Sequence, residues 1–191
     1  MADTRDRIVA ATATLFQQRG YTGSGLKQIS TDSAAPFGSL YHFFPGGKEE
    51  LAAVTLRWSG LGYQLLVEAV LDAAPDIVSG VRDAFAGATE TLRESDYADA
   101  CPIATVALEV ASTNEGLRRV TAEVFEGWLA ALAGRFAAAG IGVERARELA
   151  IVFVATIEGG FLLSRAAKDT TAMDALGRSV TEMVRAEVSR L

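Results

Sequence analysis

Apolar residues return every three or four positions along almost the whole chain, and nowhere does period-two alternation run long enough to make a convincing strand. This spacing gathers apolar side chains into a stripe along each helix, and the stripe must be buried against another helix. The expected fold class is therefore all-α. Glycine, proline and polar clusters punctuate the pattern. A first helix is expected from Thr4 to Arg19, with Ile8, Ala11, Leu15 and Phe16 inward and Gly20 ending it. A second runs from Leu26 to Ser33 with Ser24 as its N-cap, and a third starts with Pro36 as its first helical residue and reaches Phe44. After Pro45-Gly46-Gly47 the helices lengthen, covering roughly 48–73, 76–94, 102–113, 115–139, 143–167 and 171–190.

Several classes fall away on composition. With 191 residues, half of them hydrophobic, the chain can bury a core and is not a disordered segment. The longest apolar run, Ala150 to Ser164, is interrupted by Glu158, so no membrane span is expected. The N-terminus carries charges of both signs and no apolar signal core, which points to the cytoplasm. One cysteine, Cys101, and one histidine, His42, support neither a disulfide nor a metal site, and no cofactor is expected. The chain has no phosphate-binding glycine loop, ligand cluster or nucleophile motif to suggest an enzyme, and no catalytic residue is assigned.

Charge divides the chain. The net charge is −6, which alone argues against nucleic acid, yet residues 1–48 hold five basic and three acidic side chains while the remainder balances at −8. Two short helices joined by a tight turn, with a longer one before them, form in this same basic stretch. That is the helix-turn-helix arrangement, whose second short helix enters the major groove. On it, Phe37, Leu40 and Phe44 form an apolar stripe expected to dock on Ile8, Leu15, Leu26 and Ile29. The opposite side presents Gly38, Ser39, His42 and Phe43 to a groove.

The run Ser39-Leu40-Tyr41-His42-Phe43-Phe44-Pro45-Gly46-Gly47-Lys48-Glu49-Glu50-Leu51, with Gly20-Tyr21 and Ile29 upstream, resembles the DNA-binding domain of the TetR family of bacterial transcriptional regulators. The doubled glycine before Lys48, Cys101-Pro102-Ile103 and Ala107-Leu108-Glu109 look like its LmrA/YxaF branch. The resemblance implies a DNA-binding domain over 1–50 and a helical ligand-binding and dimerisation domain over 51–191. It implies that Lys27 contacts DNA, that Tyr41 hydrogen-bonds a phosphate, that Ser39 approaches a base or phosphate, and that Lys48 clamps the DNA backbone. Phe37 and Phe43 stand where the family often has polar side chains; for Phe37 both thymine contact and packing stay open. Ala34 replaces a usual turn glycine, so the turn either avoids a left-handed residue or bears strain.

For the larger region the resemblance implies a small apolar ligand, held by some of Trp58, Tyr63, Phe85, Cys101, Phe125, Trp128 and Phe161. Plain core packing is the competing reading of the rings, and a small buried apolar residue that of Cys101. The apolar faces of the last two helices are too broad for one partner helix. By resemblance, Ile151, Val154, Glu158, Leu162, Leu176, Val180 and Met183 form a two-fold homodimer interface. The expected function is a regulator, and by expectation a repressor, that binds a double-stranded operator and is released by ligand. The alternative is a helical interaction protein whose reading head has degenerated.

Overall fold

A computed structural model describes residues 3–190; Met1, Ala2 and Leu191, the outermost ends of the two expected domains, lie outside the described residues. Among the described residues there are nine helices and no strand: α1 Thr4–Arg19, α2 Leu26–Asp32, α3 Phe37–Phe43, α4 Gly47–Ala73, α5 Ile77–Glu94, α6 Pro102–Val110, α7 Glu115–Ala138, α8 Val143–Ala167 and α9 Thr171–Val188. The all-helical expectation is met. The residues form two compact units, one taking the N-terminal stretch to Gly62 with Ala100–Val124, the other Tyr63–Asp99 with the chain from Phe125 onward. The division falls inside α4 and inside α7.

In the first unit, Ile8, Val9, Leu15 and Phe16 of α1 are buried, whereas Ala11 lies at the margin of the stripe. Gly20 ends α1 at φ +68°, its N–H donating to the Phe16 carbonyl at 3.1 Å. Ser24 does not cap α2 as expected. Its Oγ donates back to the Gly20 carbonyl at 2.6 Å inside the turn, and Gly25 takes the N-cap position. The α2–α3 turn is a Schellman motif: the Ala35 N–H donates to the Ser30 carbonyl and that of Ala34 to Thr31, with Ala34 at φ +49°. Of the two possibilities left open for this turn, the structure adopts the strained one. Ala34 is exposed, so Ala34→Gly relieves its Cβ clash without opening a cavity. The variant is expected to gain about 0.5–1 kcal/mol after the extra flexibility of the unfolded chain is subtracted. A urea melt checks this, and an unchanged or lower midpoint refutes it.

Pro36 stands at the N-cap of α3, one residue earlier than expected. The expected apolar stripe also shifts. Leu40 and Phe44 are buried with Ile8, Ile29 and Leu51, but the third α3-region side chain packed against this core is Phe43, not Phe37. Leu40 finds its core neighbours one turn onward, at i+3 and i+4, while Phe37, the first helical residue, extends past the end of the core. Further along, α6 stops at Val110 rather than 113, a turn follows over 111–113, and Asn114 then caps α7, its Oδ1 accepting from the Leu117 N–H at 2.8 Å.

The second unit is organised by α5, α8 and α9. Asp76 caps α5 by accepting from the Ser79 N–H at 2.8 Å. Phe85 on α5 meets Phe153 on α8 edge to face at 5.2 Å, within a core that includes Phe136, Leu149, Met173, Val180 and Val184. Gly177 on α9 permits this approach, since a Cβ there would sit 2.8 Å from that of Phe85. By length and composition alone α8 could cross a membrane, with a mean hydropathy of 1.6. Here, however, its Leu149, Ala150 and Phe153 are core residues.

Candidate nucleic-acid interface

The expected reading residues of α3 divide by exposure. Phe37 and Tyr41 are 44% and 50% exposed, Gly38 and His42 are also exposed, and Ser39 is half-buried. Phe43, expected on the groove side, is half-buried against the core with its ring edge-on to His42 at 4.9 Å. Phe37 and Tyr41, one helical turn apart, pack edge to face at 5.8 Å. The side of α3 turned away from the core thus shows two rings, a hydroxyl and an imidazole, with Gly38 between them. This surface suits phosphates and base edges. Lys27 on α2 is exposed as well.

Lys48, in the first turn of α4, is held locally. Its Nζ lies 4.4 Å above the Tyr21 ring, where burial lowers its pKa and the Glu109 carboxylate raises it. Tyr21 itself is pushed up by burial, with a contribution from Glu49. The turn that carries Tyr21 is anchored from α6. Glu109 accepts from the Tyr21 N–H at 2.9 Å through one carboxylate oxygen and from the Thr22 N–H at 2.7 Å through the other. Gly20 leaves the space for it, since a Cβ there would fall 1.7 Å from Oε1. Glu109 is a functional candidate that sequence reasoning missed. It stood in a short matching run, but nothing local ties it to a turn 88 residues earlier.

Basic side chains of this unit also serve the fold. Arg5 lies over the Phe44 ring at 5.6 Å, and Arg7 Nε donates to the Ser33 carbonyl at 3.2 Å. Among the described residues, no group of three or more His, Cys, Asp or Glu side chains could hold a metal ion.

The seven residues assigned to a ligand do not form one group. Tyr63, Phe125 and Trp128 do meet, with Trp128 edge-on to both others at 6.5 and 5.4 Å, and all three are half-buried in the second unit. Phe85 is buried in the core of that unit, and Phe161 packs against the same core. Trp58, exposed, and Cys101, buried, belong to the first unit. The Cys101 Sγ caps α6 by accepting from the Ala104 N–H at 3.5 Å. A groove of about 450 Å³ runs between α5 and α9, with Phe85, Thr89, Asp174 and Arg178 in its lining.

The residues assigned to a dimer interface also divide. Leu162 is 64% exposed, Ile151 and Met183 are exposed, and Val154, Glu158 and Leu176 are half-buried. Val180 is 2% exposed and faces the core of its own chain. Leu163, absent from the expected set, is exposed beside Leu162.

Comparison with known proteins gives two family matches. Residues 8–54 match the bacterial regulatory proteins of the tetR family, and residues 78–179 match the C-terminal domain of LmrA/YxaF-like transcriptional regulators. The chain is 34% identical to the uncharacterized HTH-type transcriptional regulator YxaF of Bacillus subtilis, with 96% of each chain covered. It is 31% identical to the HTH-type transcriptional regulator LmrA of Bacillus subtilis, covering 96% of this chain and 97% of that one. In fold it is similar to a TetR transcriptional regulator from Legionella pneumophila, with a TM-score of 0.85, 21% identity and coverage of 96% and 98%.

Proposed function

We propose, from the premise that the chain belongs to the TetR family and to its LmrA/YxaF-like branch, that this DNA-binding transcriptional regulator is a cytoplasmic repressor released from its operator by a small apolar molecule. The observation that carries the reading is the exposed Phe37–Tyr41 face of α3, set on a core shared by residues of α1, α2, α3 and α4, with Lys27 exposed on α2. In the DNA-bound state Tyr41 and Lys48 hold phosphates, while Ser39 and His42 lie at the groove. One such head carries few cations and binds weakly; two heads on one operator multiply the affinity. The exposed Ile151, Leu162 and Leu163 on α8, with Met183 on α9, are an apolar face that a second copy would cover.

For the ligand, the half-buried trio Tyr63, Phe125 and Trp128 offers aromatic surface suited to an apolar molecule. Such a ligand shifts the balance between DNA-competent and released states only by its differential affinity for the two, typically about 1–3 kcal/mol.

Fluorescence anisotropy of the full chain with DNA from upstream of its own gene and with pooled genomic fragments, at several salt concentrations, tests the reading. Selective, salt-sensitive binding with two chains per site is expected. Lys48→Ala should lower the slope of log affinity against log salt by about 2, one for each of the two heads, and Tyr41→Phe should weaken binding by roughly threefold to tenfold per head. Unchanged affinity in both variants rules out these phosphate contacts. Absence of binding to any fragment favours the interaction-protein alternative.

A further inference from the structure

We infer that Phe37 sets the sequence preference of the reading head by packing its ring against the C5-methyl group of a thymine in the major groove. The inference rests on α3 entering that groove, and it deepens the regulator reading to a particular base.

The first argument is what α3 contains. Its seven residues are Phe-Gly-Ser-Leu-Tyr-His-Phe, with no arginine, lysine, asparagine or glutamine to bond two atoms of guanine or adenine, and no carboxylate to accept from cytosine. The hydroxyls of Ser39 and Tyr41 and the His42 ring make single hydrogen bonds, which phosphates satisfy as well as bases do. Discrimination by α3 must draw on something else. Thymine alone among the bases presents a methyl group in the major groove, and an apolar ring is its natural partner.

The second argument is where Phe37 lies. It is the one strongly exposed phenylalanine of α3, left out while Leu40, Phe43 and Phe44 fill or edge the core. Its edge-to-face contact with Tyr41 restrains the ring before DNA arrives, so less side-chain freedom is lost on binding. Gly38 supplies an independent sign. A Cβ built there would meet nothing within 4 Å, so packing within the protein does not require glycine, and glycine in a helix costs stability relative to alanine. A bare backbone beside Phe37 leaves room for a base-pair edge to reach the ring.

The test selects bound sequences from a randomised duplex with the full chain. The affinity of the selected duplex is then measured with each thymine replaced in turn by deoxyuridine, which lacks only the methyl group. For the wild-type chain, one thymine per half-site should show roughly a threefold to tenfold loss on replacement. Phe37→Ala, at an exposed position, should bind the thymine and uridine duplexes equally, and Phe37→Leu should retain part of the preference. If sequences are enriched but no uridine duplex is weakened, or if Phe37→Ala keeps the methyl preference, the assignment to Phe37 is overturned while DNA reading stands. If nothing is enriched over random DNA, sequence-specific reading itself fails and the inference falls with it.

Discussion

Glu109→Ala should lower both the stability of the chain, by about 2 kcal/mol, and its affinity for specific DNA, by roughly tenfold. The carboxylate accepts two backbone N–H groups, those of Tyr21 and Thr22, and without it neither keeps its partner on α6. Each bond has an ionised acceptor and is stronger than a neutral pair, though the Thr22 bond is exposed and worth less. DNA affinity follows because Tyr21 carries the Lys48 ammonium on its ring, and a loosened turn releases that cation from its position. Glu109→Gln should fall between: the amide oxygen serves one N–H, but its NH₂ faces the other donor. Chemical denaturation and anisotropy on the same preparations check the two effects separately. If stability falls while DNA affinity and its salt dependence stay unchanged, Glu109 is a structural clamp only.

Phe153→Ala should cost about 3–5 kcal/mol. The ring is 2% exposed, lies in the α5–α8–α9 core and packs edge-on to Phe85. The neighbourhood has little freedom to close the resulting void, because Phe85 is already wedged against the α9 backbone at Gly177. A loss of this size is a large share of the roughly 5–15 kcal/mol that holds a typical domain folded, and it corresponds to a fall in melting temperature of about 10 °C. Calorimetry measures it directly. A loss below about 1 kcal/mol would mean that the core collapses around the truncated side chain and is less tightly packed than its contacts indicate.

The two sites differ in how far they could be read beforehand. Phe153 belongs to an apolar series with helical spacing, a local signal, and its burial follows once α8 has partners. Glu109 is one carboxylate among many in an acidic region, and its partners are backbone groups of a distant turn. The reading helix shows the same contrast within seven residues. Its limits follow from Pro36 and from the Pro45-Gly46-Gly47 break, yet the stripe Phe37-Leu40-Phe44 and the alternative Leu40-Phe43-Phe44 satisfy helical spacing equally well. Only the position of the core relative to Leu40 leaves Phe37 outside and draws Phe43 in.

Helix limits were legible to within about one to three residues because caps, prolines and glycines act through hydrogen bonds between near neighbours. Ser24 shows where even that local logic yields, since its hydroxyl has a competing acceptor in the Gly20 carbonyl and takes it. The all-helical class, the helix-turn-helix head and the family resemblance were thus determined by the sequence alone, through periodicity and short motifs. Tertiary structure decided the rest: that α6 anchors the α1–α2 turn, that Val180 turns inward while Leu162 stays exposed, and that Tyr63, Phe125 and Trp128 meet. Helical spacing specifies which side chains share a face, whereas the partner of that face is chosen by packing between segments far apart in the chain.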